Sequence, residues 1–544
     1  MDKKELGFRL ERIAALLELK GENPFKVRAF ANAARLITAM PDLEERITAG
    51  TLTEIKGIGG SLAEIITGLW TTGTHPAVAE IEGYFTPGLL ELFEIPGLGP
   101  KKIKALHEEL HIASPEELKY AVYENRLLDL PGFGKKSQDK IGAELLRLEQ
   151  MRGRLLLDAA LGQAEAIRRN APALLESGEL RRRMPVVSCL EFLAPPDLPV
   201  PFIMKALPGF AWSEEDGLLR GRVEGSATET LIRLGRGNVW LDLFEATGNP
   251  EHVRQIRARG SLPADPRSEE EIYSAAGLPW IPPEMREGRG EVDLAAAGGL
   301  ADVVAHEDLR GCFHNHTTES DGASALEEMQ SAASALGWEF LGIADHSQSA
   351  RYARGLEPER LLRQVERIRA LNASSAFRLF AGTESDILPD GAVDYPDDVL
   401  ARLDYAVASI HSSFQLDEEK QTRRLCRALS HPAVKILGHP TGRLLLGRDG
   451  YPVDIVAVME AARQYGKAIE INANPHRLDL DWTRLERAQA LGIPICINPD
   501  AHEASHLTDV RYGVWAARKG LLRTENCMNT WNVERVAEFF GRNR

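Results

Sequence analysis

The sequence predicts a multidomain protein of α plus α/β class, with a helical front, a mixed middle and a C-terminal barrel of βα units. Three observations carry this. Its 544 residues exceed what one hydrophobic core organises and fit about three domains of roughly 100–200 residues. A Gly-x-Gly turn recurs three times within the first 150 residues. Beyond residue 300, short apolar runs alternate with amphipathic helices in seven βα units, the rhythm of a closed or nearly closed parallel barrel. With 44% hydrophobic and 27% charged residues, the chain can bury real cores, and no stretch reads as low complexity or collagen. Five cysteines without CxxC spacing point to a reducing compartment rather than a disulfide framework. No signal-peptide layout and no run of ~18–20 apolar residues is found, so the protein is expected to be cytoplasmic and without a membrane partner; a monomer is expected as well.

Residues 1–150 read as helical, with apolar positions at i, i+3 and i+4 in Leu10, Ile13, Leu16, Leu17 and in Leu62, Ile65, Ile66, Leu69. The recurring turns are Ile55-Lys56-Gly57-Ile58-Gly59-Gly60, Ile95-Pro96-Gly97-Leu98-Gly99-Pro100 and Leu130-Pro131-Gly132-Phe133-Gly134-Lys135, each running into an amphipathic helix. One such turn is no more than a glycine-capped helix. Three at similar spacing fit helix-hairpin-helix motifs, whose glycines let backbone amides approach a phosphate with no side chain in the way. Gly57, Gly59, Gly97, Gly99, Gly132 and Gly134 are therefore the candidate DNA-backbone contacts, of a kind that reads no sequence. The net charge of −15 argues against a broad basic DNA-binding surface, but backbone amides add nothing to the formal charge.

Residues 151–290 read as a second domain of mixed α/β texture, with strand-like segments at 186–193 and 238–244. Residues 281–300, carrying Pro and Gly, read as a linker. The third domain, 300–544, holds the seven strand-like runs: 312–316, 340–346, 377–384, 405–411, 434–439, 468–474 and 493–500. Each ends in a polar residue able to bind metal or substrate, and in a βα barrel such residues gather at the C-terminal mouth of the strands.

His314 and His316, two apart on an extended strand, face the same way and can grip one ion. Asp321, in the loop that follows, can fold back over the mouth. With His346, Glu384, His411, His439, Asp500 and His502 they make nine candidate ligands, too many for one tetrahedral ion. The imidazole and carboxylate mixture suits zinc, manganese or iron better than magnesium or calcium. Two or three such ions can clamp the attacking and the leaving oxygen of a phosphoryl displacement. A lone strand-end histidine is more often a packing residue; nine aligned groups are hard to explain that way.

The strings Phe313-His314-Asn315-His316-Thr317, Ala344-Asp345-His346-Ser347, Gly382-Thr383-Glu384, Ser409-Ile410-His411-Ser412, Gly438-His439-Pro440 and Asn498-Pro499-Asp500-Ala501-His502 resemble the PHP (polymerase and histidinol phosphatase) phosphoesterase domain. With Asp321 they match all nine ligand positions of that family. The resemblance implies a distorted (β/α)7 barrel and a trinuclear site of manganese or zinc, with His314, His316, Glu384, His411, Asp500 and His502 as catalytic residues. The whole layout resembles bacterial family X DNA polymerases, supported by Asn23-Pro24-Phe25-Lys26-Val27-Arg28-Ala29 and by Leu278-Pro279-Trp280-Ile281-Pro282-Pro283-Glu284.

That resemblance makes 151–290 a nucleotidyltransferase-like palm, and here the match degenerates. Where the family has two aspartates, this chain has Cys189 and Glu191; the third carboxylate is expected in Asp242. Glu179 stands where a family serine helps hold the triphosphate, and Glu245-Ala246-Thr247-Gly248 lacks the aromatic pair before Thr-Gly. Ile65 occupies the place of the lyase lysine. The resemblance thus implies a DNA-repair nuclease working 3′ to 5′ on gapped, nicked or 3′-ended DNA, with nucleotide addition lost. The alternatives are an active gap-filling polymerase with proofreading and a small-molecule phosphatase.

Overall fold

The computed structural model describes residues 3–40, 42–95, 97–128, 130–223 and 227–542; Pro96 of the second glycine turn lies outside them. The chain divides into two compact units, Met1–Leu145 and Leu146–Arg544. Among the described residues no helix is long and apolar enough to cross a membrane.

The first unit is helical. Helices α1 (Lys3–Leu19) and α2 (Pro24–Ala39) bury Leu10, Ile13, Leu17 and Ile37 in one core with Ile66 and Leu69 of α3 (Gly60–Thr72). Asn23 starts α2 by accepting the Phe25 amide hydrogen at 2.9 Å, with Pro24 in the first turn, where a missing N–H costs nothing. Helices α4 (Pro100–Leu110) and α5 (Lys135–Arg152) follow the second and third turns.

In the second unit, residues 151–290 carry a five-stranded sheet: β1 (Leu175–Glu176), β2 (Leu190–Ala194), β3 (Phe210–Glu215), β4 (Leu218–Val223) and β5 (Thr230–Leu234). Its order is β1-β2-β5-β4-β3, and β2 pairs with β5 in parallel with Glu191 opposite Leu231. The expected strand at 238–244 is instead α6 (Val239–Thr247). Asn238 caps this helix by accepting the Trp240 and Leu241 amide hydrogens, and that cap outweighs the strand-like Val-Trp-Leu run. Nor is 281–300 a linker. Ile281, Met285, Val292 and Ala295 sit in a core with Phe244 and Tyr273, and buried Arg286 pairs with Glu269 at 2.8 Å; its Pro and Gly shape short helical turns rather than a flexible tether.

Residues 300–544 contain β6 (Gly311–Cys312), β7 (Phe340–Ile343), β8 (Arg378–Ala381), β9 (Glu384–Asp386), β10 (Ala406–Ser409), β11 (Val434–Leu437), β12 (Ala468–Asn472) and β13 (Ile495–Asn498). They form two parallel sheets, β8-β7-β6 and β9-β10-β11-β12-β13. Parallel bridges from Asn315 to Ala501 and from His346 to Glu384 connect the two sheets on either side. Strands β8 and β9 are one run interrupted at Gly382-Thr383: a Cβ on Gly382 would meet the Tyr405 ring at 2.5 Å. Phe313, Phe340, Phe380, Tyr405 and Phe540 fill one end of the sheets, leaving the polar strand ends to gather at the other. Helix α7 (Val510–Lys519), following the last of these ends, packs Tyr512 and Ala516 into the core of the five-stranded sheet.

Candidate metal centre and its companion sites

The strand ends bring all nine expected ligand residues together. Glu384 lies at the middle: its Oε1 is 3.0 Å from His439 Nε2, 3.2 Å from His411 Nε2 and 3.3 Å from His314 Nε2. Its other oxygen is 2.8 Å from His346 Nδ1 and 3.7 Å from His316 Nε2. Asp500 Oδ1 lies 3.0 Å from His316 Nε2, and Asp321 folds back to within 3.5 Å of His346 Nε2 and 3.4 Å of His502 Nε2. Three sets have ligand atoms spaced for one ion each: His316, Asp321, His346 and His502; His314, His316 and Asp500; His346, Glu384 and His411. Two of these residues sit on left-handed backbone, Asp500 at φ 55° and His439 at φ 21°, strain of the kind functional sites hold.

Buried polar atoms without hydrogen bonds are rare and costly. Here His314 Nε2, His316 Nδ1, Asp321 Oδ2, His346 Nδ1, Glu384 Oε2 and His439 Nδ1 are all buried without a hydrogen bond of proper angle, close as some of them lie to one another. Imidazole nitrogens and carboxylate oxygens left open in one buried cluster are what divalent cations complete, so the residues fit a polynuclear centre. The electrostatics agree. Burial disfavours the charge of Glu384, but His411, His314 and His346 hold its carboxyl well below the usual range. Burial, followed by the neighbouring His502 and His346, pushes His316 down, toward the neutral form that donates a lone pair.

Behind these groups stands a layer that sequence reading missed. Glu470 accepts from His314 Nδ1 at 2.8 Å and from the His439 amide at 3.0 Å. Asp386 accepts from His411 Nδ1 at 2.6 Å, and Asp345 holds the Thr317 amide and hydroxyl at 2.8 and 2.7 Å. Such partners set the tautomer and orientation of a ligating ring. Glu470, a carboxylate between two isoleucines of a fully buried strand, was the signal that could have revealed them.

The three glycine turns repeat one geometry. Amide hydrogens of Ile58, Leu98 and Phe133 bond back three residues, to the carbonyls of Ile55, Ile95 and Leu130, at 2.9, 3.1 and 3.0 Å. Gly57, Gly97 and Gly132 take φ of 103°, 91° and 85°, which glycine adopts without strain. Gly59 and Gly99 differ: their φ of −84° and −88° suit any residue, and a Cβ on either, or on Gly134, would meet nothing within 4 Å. Nothing among the described residues crowds these positions. Ile65 is buried in the first unit's core.

In the five-stranded sheet, Glu191 Oε2 accepts the Glu179 amide hydrogen at 3.0 Å, and Glu179 Oε2 accepts that of Ser188 at 2.8 Å. Burial raises the Glu191 carboxyl and, with Glu191 and Glu179 beside it, pushes the Cys189 thiol up to about 12. Asp242, expected on the strand-like segment 238–244, lies on α6, where it accepts the Arg236 and Gly237 amide hydrogens at 2.9 and 3.2 Å. The residue in register beside Glu191 is Leu231. The neighbouring arginines are engaged as well: Arg181 with Glu269, Arg182 with Glu287, and Arg183 with Glu176.

Repeated hairpins in front and a buried centre for divalent ions at parallel strand ends define a nucleic-acid-processing metalloprotein. Comparison with known proteins agrees. Residues 1–75 match a helix-hairpin-helix domain and residues 89–145 a SAM-like helix-hairpin-helix tandem. A Bacillus subtilis DNA polymerase/3′-5′ exonuclease PolX is 36% identical over the full length of both chains. A probable phosphatase of Caldanaerobacter subterraneus is 34% identical over 23% of this chain and 50% of its own. A solved Leishmania infantum polymerase beta complex aligns at 16% identity over 37% of this chain and 97% of its own, with a TM-score of 0.21, too low to bear on the fold. The chain belongs to the bacterial family X DNA polymerases that carry a PHP domain.

Proposed function

We propose that this chain is a DNA-repair nuclease that removes nucleotides from 3′ ends. Residues 1–150 grip the DNA backbone through the six hairpin glycines, residues 151–290 form a palm without polymerase activity, and residues 300–544 are a PHP barrel that carries the chemistry. The observation that supports it most is the convergence of nine ligand-type groups with buried atoms left open.

His314, His316, Asp321, His346, Glu384, His411, His439, Asp500 and His502 would hold two or three ions, with manganese or zinc suited to the donor set. Divalent ions, when bound, supply charge that stabilises the developing phosphorane and acidifies water. The chain supplies position: Glu470 and Asp386 hold the Nδ1 sides of His314 and His411, turning each Nε2 toward Glu384. In the overall step water adds its oxygen to phosphorus, the bond to the preceding 3′ oxygen breaks, that oxygen takes up a proton, and a 5′-mononucleotide leaves.

Loss of nucleotide addition is supported by the palm's own hydrogen bonds. A two-metal transfer needs grouped carboxylates facing the ions, whereas Glu191, Glu179 and Asp242 each bind backbone amides and Leu231 stands where a partner on the next strand could. The test is purified protein with Mn²⁺ on 3′-recessed DNA, with and without nucleotides. Shortening in both conditions is expected. Extension would overturn the loss of synthesis; phosphate release from small esters alone, or binding without turnover, would overturn the nuclease reading.

A further inference from the structure

The wall of the metal centre that faces solvent is built by a loop whose role nothing above explains. Within the cluster, the His314 and His316 side chains are fully covered, whereas those of His346 and His411 are 7% and 11% exposed. Whatever reaches the centre approaches on that side. There Tyr352 meets both rings, 6.2 Å from His346 at 61° and 6.4 Å from His411 at 73° between planes. It is half-buried, between exposed Arg351 and Arg354.

The loop is anchored at several residues other than Tyr352. Leu356 donates its amide hydrogen to His346 O at 2.8 Å, closing the loop at its base. Ser349 donates from its hydroxyl to Asp386 Oδ2 and from its amide to Asp394 Oδ2, both at 2.7 Å. Gln348 Nε2 reaches Asp394 O at 2.8 Å, and Ala350 and Ala353 supply the fully buried contacts. Gly355 is so close to the loop's start that a Cβ would come 1.9 Å from Ser347 O. An aromatic ring beside the two most exposed histidines of the cluster, on a loop tied down at its base, is placed to meet a ligand.

Resting on the nuclease reading above, we propose that Tyr352 selects a nucleotide end over a small phosphate ester by stacking on the terminal nucleoside while its phosphodiester lies over the ligand cluster. Every base has a π face, so such a contact tolerates all four sequences. A small ester has nothing for the ring to cover. Arg351 and Arg354 put positive charge on the same rim, where the rest of a nucleic-acid backbone passes.

The test compares Tyr352→Ala and Tyr352→Phe with the unaltered full chain in Mn²⁺, on thymidine 5′-(p-nitrophenyl phosphate) and methyl p-nitrophenyl phosphate. Calorimetric titration with thymidine 5′-monophosphate and with inorganic phosphate gives a readout that needs no turnover. Tyr352→Ala should raise KM for the nucleotide ester and weaken the mononucleotide by roughly 10- to 100-fold, the range of one lost base–aromatic stack, with kcat little changed. The methyl ester and inorganic phosphate should stay within about twofold, and Tyr352→Phe should behave as the unaltered protein, since a phenyl ring stacks equally well. Equal losses on both esters would mean that the ring only supports His346 and His411, and no loss on either would remove it from recognition; each overturns the proposal alone. If the unaltered chain cleaves the methyl ester but neither the nucleotide ester nor DNA, the nuclease reading fails and the selectivity with it.

Discussion

The cluster at the parallel strand ends and the acidic group around Glu191 both gather carboxylates, yet they treat those carboxylates in opposite ways. In the barrel, Asp321 and Glu384 keep buried oxygens without hydrogen bonds, beside imidazole nitrogens in the same condition. In the palm, Glu179, Glu191 and Asp242 are bound to backbone amides, and Arg181, Arg182 and Arg183 to glutamates. Leaving polar atoms open inside a fold is costly unless a ligand completes them. Unfinished hydrogen bonding is what a site kept for a cation would show, and hydrogen bonds closed upon themselves are what a site without one would show. Residue type alone does not separate the two cases; the state of the polar atoms does.

That contrast breaks first if the barrel tolerates loss of a ligand. Asp500→Ala should lower excision by on the order of 10³-fold, as when one essential electrostatic group is removed from an active site. Metal content by mass spectrometry should fall, while DNA affinity by fluorescence anisotropy is retained. Undiminished cleavage would show that the open atoms serve no catalytic ion.

The palm side is sharpened by releasing one of its arginines. Burial opposes the charge of Glu269, but Arg286 and Arg181 outweigh it and hold the carboxyl at about 2. Glu269→Gln should destabilise the second unit by ~3–5 kcal/mol, the cost of removing one partner from a buried ion pair, rather than create an anion site at Arg181. Calorimetric unfolding reads this. The sign follows from linkage: the folded carboxyl is below its unfolded value near ~4.3, so its contribution is complete above that pH and is lost as pH falls toward about 2. The variant should therefore show a shallower acid destabilisation between those two values.

A smaller effect is expected in the hairpins, where the open space lies outside the chain rather than inside it. Gly99→Leu keeps an ordinary φ of −88°, and its Cβ would meet nothing within 4 Å, so the fold should stand. DNA affinity should drop about tenfold on every sequence alike, the worth of one or two phosphate hydrogen bonds at ~0.5–1.5 kcal/mol each. A loss confined to some sequences would contradict backbone contact.

Much of this was legible in the residues because it is written in local pattern: the βα rhythm, the polar strand ends, and the glycines before each hairpin helix. What escaped depended on distant partners. Asp386 and Asp345 are adjacent in sequence to ligands or near them, but only the fold reveals that they hold His411 and the Thr317 backbone. The segment 238–244 misled because Val-Trp-Leu suits a strand, while the deciding interaction is one capping hydrogen-bond pair at Asn238. Pro and Gly in 281–300 suggested a tether, whereas Arg286 is buried against Glu269; nothing local distinguishes a kinked packed segment from a loose one.

The smallest expected effect is none at all, and it tests the palm directly. If the cysteine were the main defect, Cys189→Asp should restore nucleotide addition, with Glu191 and Asp242 completing a carboxylate trio. We expect no extension. Asp242 is on a helix and holds the Arg236 and Gly237 amides, and the position in register with Glu191 on the next strand is Leu231. Glu191 itself is turned onto the Glu179 amide at 3.0 Å, and a metal displaced by ~1 Å costs on the order of 100-fold in rate. A new carboxylate at position 189 would also be half-buried beside Glu191 and Glu179, the same surroundings that push the thiol up to about 12, so it would resist ionising. Primer extension with Mn²⁺ in a His314→Ala background reads this without excision hiding synthesis. Robust extension by Cys189→Asp, or by the native palm in that background, would show that the closed hydrogen bonds open for a nucleotide, and the contrast between the two regions would fall.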